Sequence, residues 1–266
     1  MINLNEEKRE LVGKTILVFF CFVFLFRDVS TEQLFGFHGS EVYGHAWSHW
    51  WRFQDFPDQL IGMKKAIGVE LFPPIDIIAM IISNCFAVIG GTIFGYNAWV
   101  FLSVILAIFG GYFLAETEGG DPWIGAVVLA FSPIFLGTIF SGLTEDMGLG
   151  LVAISIAFLR RKSWWGVLGL AGVGYSGLVL GWMTGILAVM VAVVTIVKER
   201  EWKIWLRFGF GTWLLLSPLL WLHWERLLSK GHRFGSHFLE YQPFWGLNPW
   251  KQADIASLFH AWYIDF

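Results

Sequence analysis

Long apolar runs separated by short polar segments form the main pattern of this chain. The runs cover about residues 11–26, 73–93, 96–115, 122–141, 147–159, 164–180, 181–197 and 204–222. A membrane-spanning helix needs about 20 predominantly apolar residues. The pattern therefore predicts an all-α polytopic membrane protein with about eight transmembrane helices.

Two parts of this pattern differ in length from a single span. The run 147–159 is short for a span, and we expect it to borrow residues from its flanks. The stretch 164–197 carries no charge and is too long for one span, which predicts a tight hairpin near Gly177–Gly185.

Composition supports the membrane prediction. Hydrophobic residues make up 56% of the chain and charged residues 15%, against about 25% charged residues in soluble domains. The net charge of −3 gives no sign of a nucleic-acid partner, so membrane lipids are the expected surroundings. We divide the chain into a transmembrane helical domain, residues 1–224, and a more polar extramembrane segment, residues 225–266.

The distribution of positive residues gives a topology, with one conflict. Basic residues before the first run predict a cytoplasmic N-terminus and place the loop 27–71 outside. Basic clusters at 160–162 and 198–203 predict that both of these loops lie inside. Counting back from them through the acidic loop 116–121, however, places 27–71 inside. One segment must be re-entrant, or one loop must break the charge rule.

The first outer loop contains the most distinctive chemistry. Glu41, His45 and His49 recur every four residues and would share one face of a helix, and three nearby tryptophans favour the membrane–water interface. We predict an amphipathic interfacial helix here. Its carboxylate can act as a general base, and its two imidazoles with the carboxylate can hold a divalent metal. The alternative is a polar face that only meets water and headgroups.

Other candidates are more ambiguous. Arg52 can pair with a lipid phosphate or be ordinary surface charge. Asp76 is either a functional acid inside the membrane or the cap of a helix. Glu145 and Asp146 can join Glu41 around one cavity, or they can satisfy the free amides at a helix start.

The order of several short motifs resembles a known enzyme group. Glu41 is followed by an aromatic and histidine stretch, 43–51, then by Phe72-Pro73-Pro74, Gly111–Ala115, Phe131-Ser132-Pro133 and Ser141–Glu145. This order is similar to glycosyltransferases of the GT-C superfamily, particularly to the uncharacterised bacterial membrane branch. The resemblance covers most of residues 10–222.

The resemblance implies an enzyme of the bacterial inner membrane that moves a sugar from a polyprenyl-phosphate donor to an acceptor on the outer face. It also implies that Glu41 is the catalytic base or a ligand of a divalent metal. From their own chemistry and position, His45, His49, Arg52, Glu145 and Asp146 are the predicted substrate-contacting residues. The chain departs from many relatives, which have Asp at the position of Glu41 and further spans. The alternative function is a non-catalytic accessory subunit that packs against other membrane proteins.

Overall fold

The structure is a computed structural model of the full chain. It describes residues 12, 13, 16, 33–36, 42, 46, 49, 65, 66, 69, 70 and 76–222. By contacts the chain divides into two units, Met1–Leu216 and Ser217–Phe266. Nearly all of the described residues belong to the first unit.

The described part is almost entirely helical. Its seven helices are α1 (Ile77–Thr117), α2 (Pro122–Ala130), α3 (Pro133–Ser141), α4 (Leu149–Arg160), α5 (Trp164–Ser176), α6 (Leu178–Glu199) and α7 (Trp202–Leu222). Two strands of two residues each, β1 (Lys65–Ala66) and β2 (Val69–Glu70), pair antiparallel with Lys65 opposite Glu70.

Four stretches of the described part are long and apolar enough to cross a membrane. They are Ile77–Thr117, Pro122–Ser141, Leu180–Glu199 and Trp202–Trp221. Most of the apolar side chains on α6 are exposed, from Trp182 to Val197. An extended apolar surface of this kind is costly in water and stable against lipid tails. The prediction of a helical membrane protein is confirmed.

Helix α1 reverses direction at Gly91. The backbone there has φ 84° and ψ 172°, outside the helical region, in a conformation that glycine adopts without strain. A Cβ added to Gly95 would collide with the carbonyl oxygen of Ser83, whereas residues 12 apart in one straight helix lie about 18 Å apart. The sequence places this break at 94–95, between two runs, and the structure places it four residues earlier.

The helices of the first unit approach closely at small residues. Added Cβ atoms at Gly111 and Gly125 would each collide with the other's backbone, so α1 and α2 are in near-backbone contact there. Gly150 of α4 lies in the same way against the backbone of Leu106 and Ala107 in α1. Membrane helices commonly pack through small residues, because lipid tails provide no hydrophobic drive for helix association.

Ion pairs join three loops at one end of the helices. Arg160 lies 2.9 Å from Glu118, and Arg161 lies 2.6 Å from Glu116. Lys162 Nζ lies 2.6 Å from Glu199 and 2.5 Å from Glu201. The hydrogen bond to Glu199 raises the pKa of Lys162 above its ordinary value. We call this end, formed by residues 116–121, 160–163 and 199–201, the ion-pair end.

Helices α4 and α5 are short. They have 12 and 13 residues, or about 18–20 Å at about 1.5 Å per residue, against about 30 Å for the hydrocarbon core. Helix α4 ends at Arg160 and helix α5 begins at Trp164, so each has one terminus at the ion-pair end. Their other ends, beside residues 144–148 and at Gly177, therefore lie about 18–20 Å from the ion-pair end, which is less than a full crossing. The predicted break near Gly177 is observed, but the prediction that the short run 147–159 borrows residues from its flanks is wrong, because α4 covers only Leu149–Arg160.

The ion-pair end leads to a labelling prediction. In a chain whose Cys21 and Cys85 are replaced by serine, we introduce cysteine singly as Gly120→Cys, Ser163→Cys or Arg200→Cys, which leaves the ion-pairing side chains in place. A membrane-impermeant maleimide should label all three from the same side of sealed vesicles, because the three loops are held together by ion pairs. Permeabilised vesicles provide the control for reactivity. Labelling of one site from the opposite side would contradict the fold.

Candidate functional site

Three described residues of the first loop form one buried face. Val42, Ala46 and His49 are helical, and their spacing of four and three residues places them on one side of a helix. Val42 and Ala46 belong to the same apolar cluster as Tyr96, Trp99 and other residues of α1 and α3. His49 is only 2% exposed. This part of the first loop is therefore packed into the helical core, and His49 does not face water.

His49 meets a buried carboxylate and a hydroxyl. Its Nε2 lies 2.7 Å from Oδ2 of Asp76, and the Thr144 hydroxyl donates a hydrogen bond to the same carboxylate oxygen. All three residues are at most 5% exposed. Hydrogen bonds and charge interactions are stronger in such an environment than in water. We call His49, Asp76 and Thr144 the buried triad.

Asp76 occupies a capping position without capping its helix. It is the N-cap residue of α1, yet its side chain accepts no hydrogen bond from the first-turn amides. Asp121 shows the usual arrangement, because its carboxylate accepts from the amides of Trp123 and Ile124 at the start of α2. Of the two readings of Asp76 from the sequence, capping is wrong. The carboxylate is used instead for tertiary contacts with His49 and Thr144.

Two asparagines of α1 fix the described residues of the first loop. Asn84 donates from Nδ2 to the carbonyl of His49 at 3.0 Å. Asn97 accepts from the amide of Phe35 and donates to the carbonyl of Gln33, both at 2.9 Å. Each asparagine satisfies backbone groups that would be costly to bury without a partner. Both arms of α1 therefore hold the first loop in place.

Thr144 lies in an irregular turn before α4, residues 142–148. Helix α4 begins at Leu149 with Gly148 as its N-cap and no acid in its first turn, so Glu145 and Asp146 do not stabilise the helix start as acids of a first turn. Both are half-buried. At the other end of the turn, Gly148 contacts Ser176. The Ser176 hydroxyl is buried and has no hydrogen-bond partner among the described residues.

The structure brings together part of the predicted site. His49 contacts Asp76, and Glu145 and Asp146 lie in the same turn as Thr144. Glu41, His45 and Arg52 lie outside the described residues, so their roles stay predictions. The sequence did not single out Thr144, because a lone threonine in a turn carries no periodic or motif signal. Asn84 was missed for the same reason, although a polar residue inside an apolar run is itself a signal.

A metal site is not found in the part of the chain that the structure describes, where no three His, Cys, Asp or Glu side chains are arranged for one. The predicted set of Glu41, His45 and His49 includes two residues outside that part. Because Nε2 of His49 faces Asp76, a metal at His49 would bind through Nδ1. A carboxylate on the other ring nitrogen is the usual arrangement for a metal-binding histidine.

Comparisons with known proteins identify no family for this chain. No protein-family model, no curated protein and no solved structure matches this chain.

Proposed function

We propose that this chain is a GT-C-like membrane glycosyltransferase that moves a sugar from a polyprenyl-phosphate donor to an acceptor on the outer membrane face. The motif order supports the proposal, and the buried triad is the observation that carries it. A loop histidine packed against a carboxylate inside a membrane protein is costly to bury. Such groups commonly serve catalysis or binding.

The roles follow from the chemistry of each side chain. Glu41 acts as the base for the acceptor hydroxyl or as a ligand of a divalent metal, which would neutralise the phosphate leaving group. His45 and Arg52 contact the donor phosphate, and Arg suits that role because it donates bidentate hydrogen bonds. His49 joins this site to Asp76, at 2.7 Å. Glu145 and Asp146 contact the substrate from the turn that carries Thr144.

The proposal includes a membrane topology. The chain crosses a bacterial inner membrane about eight times, with an interfacial helix in the first outer loop and its N-terminus in the cytoplasm. The ion-pair end, with the basic loops 160–162 and 198–203, would then face the cytoplasm. Membrane lipids and the lipid-linked donor are the proposed partners.

The test is sugar transfer by the purified protein in lipid nanodiscs. A panel of synthetic polyprenyl-phosphate sugars is supplied, and release of polyprenyl phosphate is measured. Glu41→Gln should lower kcat by about 100-fold or more, since a general base contributes about 10²–10⁴. The matched control is Glu118→Gln, an exposed glutamate at the ion-pair end, which should keep wild-type activity.

Two outcomes would contradict the proposal in different ways. Full activity of a folded Glu41→Gln variant would remove Glu41 from the chemistry. Absence of donor turnover by the wild type, together with a membrane protein that co-purifies in fixed ratio, would favour the accessory-subunit alternative.

A further inference from the structure

The Thr144–Asp76 contact shows an alcohol bound to a buried carboxylate. The Thr144 hydroxyl donates to Oδ2 of Asp76, which is the contact that a general base makes with a substrate hydroxyl before it removes the proton. On the other side of the same oxygen lies Nε2 of His49, at 2.7 Å. Oδ2 of Asp76 thus contacts both the Thr144 hydroxyl and the His49 imidazole, and the imidazole can share a proton with it.

Helix stability does not explain why an acid stands at position 76. The Asp76 side chain makes no capping hydrogen bond to α1, and burial of a carboxylate is unfavourable unless partners such as His49 and Thr144 offset the lost hydration. The carboxylate is buried and contacts Thr144, which precedes α4 at the end away from the ion-pair end. It is therefore inside the membrane protein, where acids are rare and commonly functional.

We propose that Asp76 binds the acceptor hydroxyl in the place that the Thr144 hydroxyl occupies, and that it removes the acceptor's proton. His49 is the positioning residue, which orients the carboxylate and shares the proton. The inference rests on the proposed transferase function. It assigns the base to Asp76 and leaves Glu41 with the metal and the donor phosphate.

The proposed sugar transfer exchanges one bond to C1 of the sugar for another. The acceptor O–H bond breaks and its proton passes to Oδ2 of Asp76. The acceptor oxygen forms a bond to C1 of the sugar. The bond from C1 to the phosphate oxygen breaks, and polyprenyl phosphate leaves with the electron pair. No oxidant or further reactant is needed.

The test is chemical rescue of Asp76→Asn with sodium azide, an anionic nucleophile that needs no base. With a polyprenyl-phosphate sugar that the wild type uses, the variant should lose kcat by about 10²–10⁴ while the donor KM changes little. Azide should restore turnover and yield the glycosyl azide. The same azide should not restore Glu41→Gln, because a nucleophile that needs no base does not replace the activation of the donor phosphate.

A second variant tests the hydroxyl position without removing the acid. Thr144→Val keeps the shape of the side chain but frees Oδ2, so the acceptor KM should fall with the donor KM unchanged. The matched control is Thr184→Val, another buried threonine, whose hydroxyl donates to the carbonyl of Leu180. That control should leave both constants at wild-type values.

The possible results distinguish failure of the role of Asp76 from failure of the proposed transferase function. If the wild type transfers no sugar, the transferase proposal and this inference fail together. If the wild type is active and a folded Asp76→Asn variant keeps its activity, or loses it without azide rescue, only the inference fails. An acceptor KM that does not fall in Thr144→Val also overturns the inference.

Discussion

Asp76→Ala should lower the free energy of unfolding by about 2–5 kcal/mol, because it removes the buried acceptor of two hydrogen bonds, each worth about 1–3 kcal/mol when its partner is lost. The substitution leaves the His49 ring and the Thr144 hydroxyl without the carboxylate oxygen that both contact. It also frees the described part of the first loop from one of its anchors on α1. The measurement is equilibrium unfolding in detergent micelles, followed by tryptophan fluorescence.

The chain offers a matched control in Asp121→Ala. Asp121 is also an aspartate at the N-cap of a helix, but it is exposed and bonds only local amides. Its loss should cost about 1 kcal/mol, the usual value of an N-cap. Equal effects of the two substitutions would contradict the buried triad, because they would show that Asp76 also acts only as a local cap.

These two aspartates show where prediction from sequence ends. Each stands directly before an apolar helix. Pro122 marks Asp121 as a cap, but no local pattern shows that Asp76 contacts distant residues. The contact between His49 and Asp76 joins residues 27 positions apart, and that between Asp76 and Thr144 joins residues 68 apart. Helical periodicity relates residues three or four positions apart. The meeting of these side chains therefore depends on packing that a single sequence does not display.

The apolar elements were easier to predict. The uncharged stretch 164–197 required a break, and the structure has one at Gly177 between α5 and α6. The positive-residue rule placed 160–162 and 198–203 on one side, with the acidic loop 116–121, and the ion pairs join these loops. The charge pattern suffices here because each loop carries its own charges. The count of eight spans stays a prediction.

Glycine contacts lie between these two cases. The sequence shows 30 glycines, and several fall at helical spacing within apolar runs. Composition alone suggests that some of them mediate helix packing. It does not say which, because that depends on the neighbouring helix. Gly150 lies against the backbone of α1, whereas a Cβ at Gly185 in α6 would meet nothing within 4 Å.

Gly150→Ala should therefore destabilise the protein by about 1–3 kcal/mol, the usual cost of overpacking a core. The added Cβ would collide with the backbone of Leu106 and Ala107, which cannot rotate away as a side chain could. Helix α4 must then move from α1. Because Thr144 precedes α4 and contacts Asp76 before α1, the same shift should weaken the buried triad. Unfolding in detergent micelles measures the loss.

Gly185→Ala is the matched control for this prediction. The same atom is added to a helical glycine, but at an exposed position with no neighbour. Alanine has the higher helix propensity, so this variant should be unchanged or gain up to about 1 kcal/mol. The free energy of unfolding should thus fall in Gly150→Ala and stay the same or rise in Gly185→Ala, although both replace glycine by alanine inside an apolar helix. A stabilising effect of Gly150→Ala would show that α1 and α4 are not in backbone contact. The position of Thr144, which precedes α4, beside Asp76 would then be wrong too.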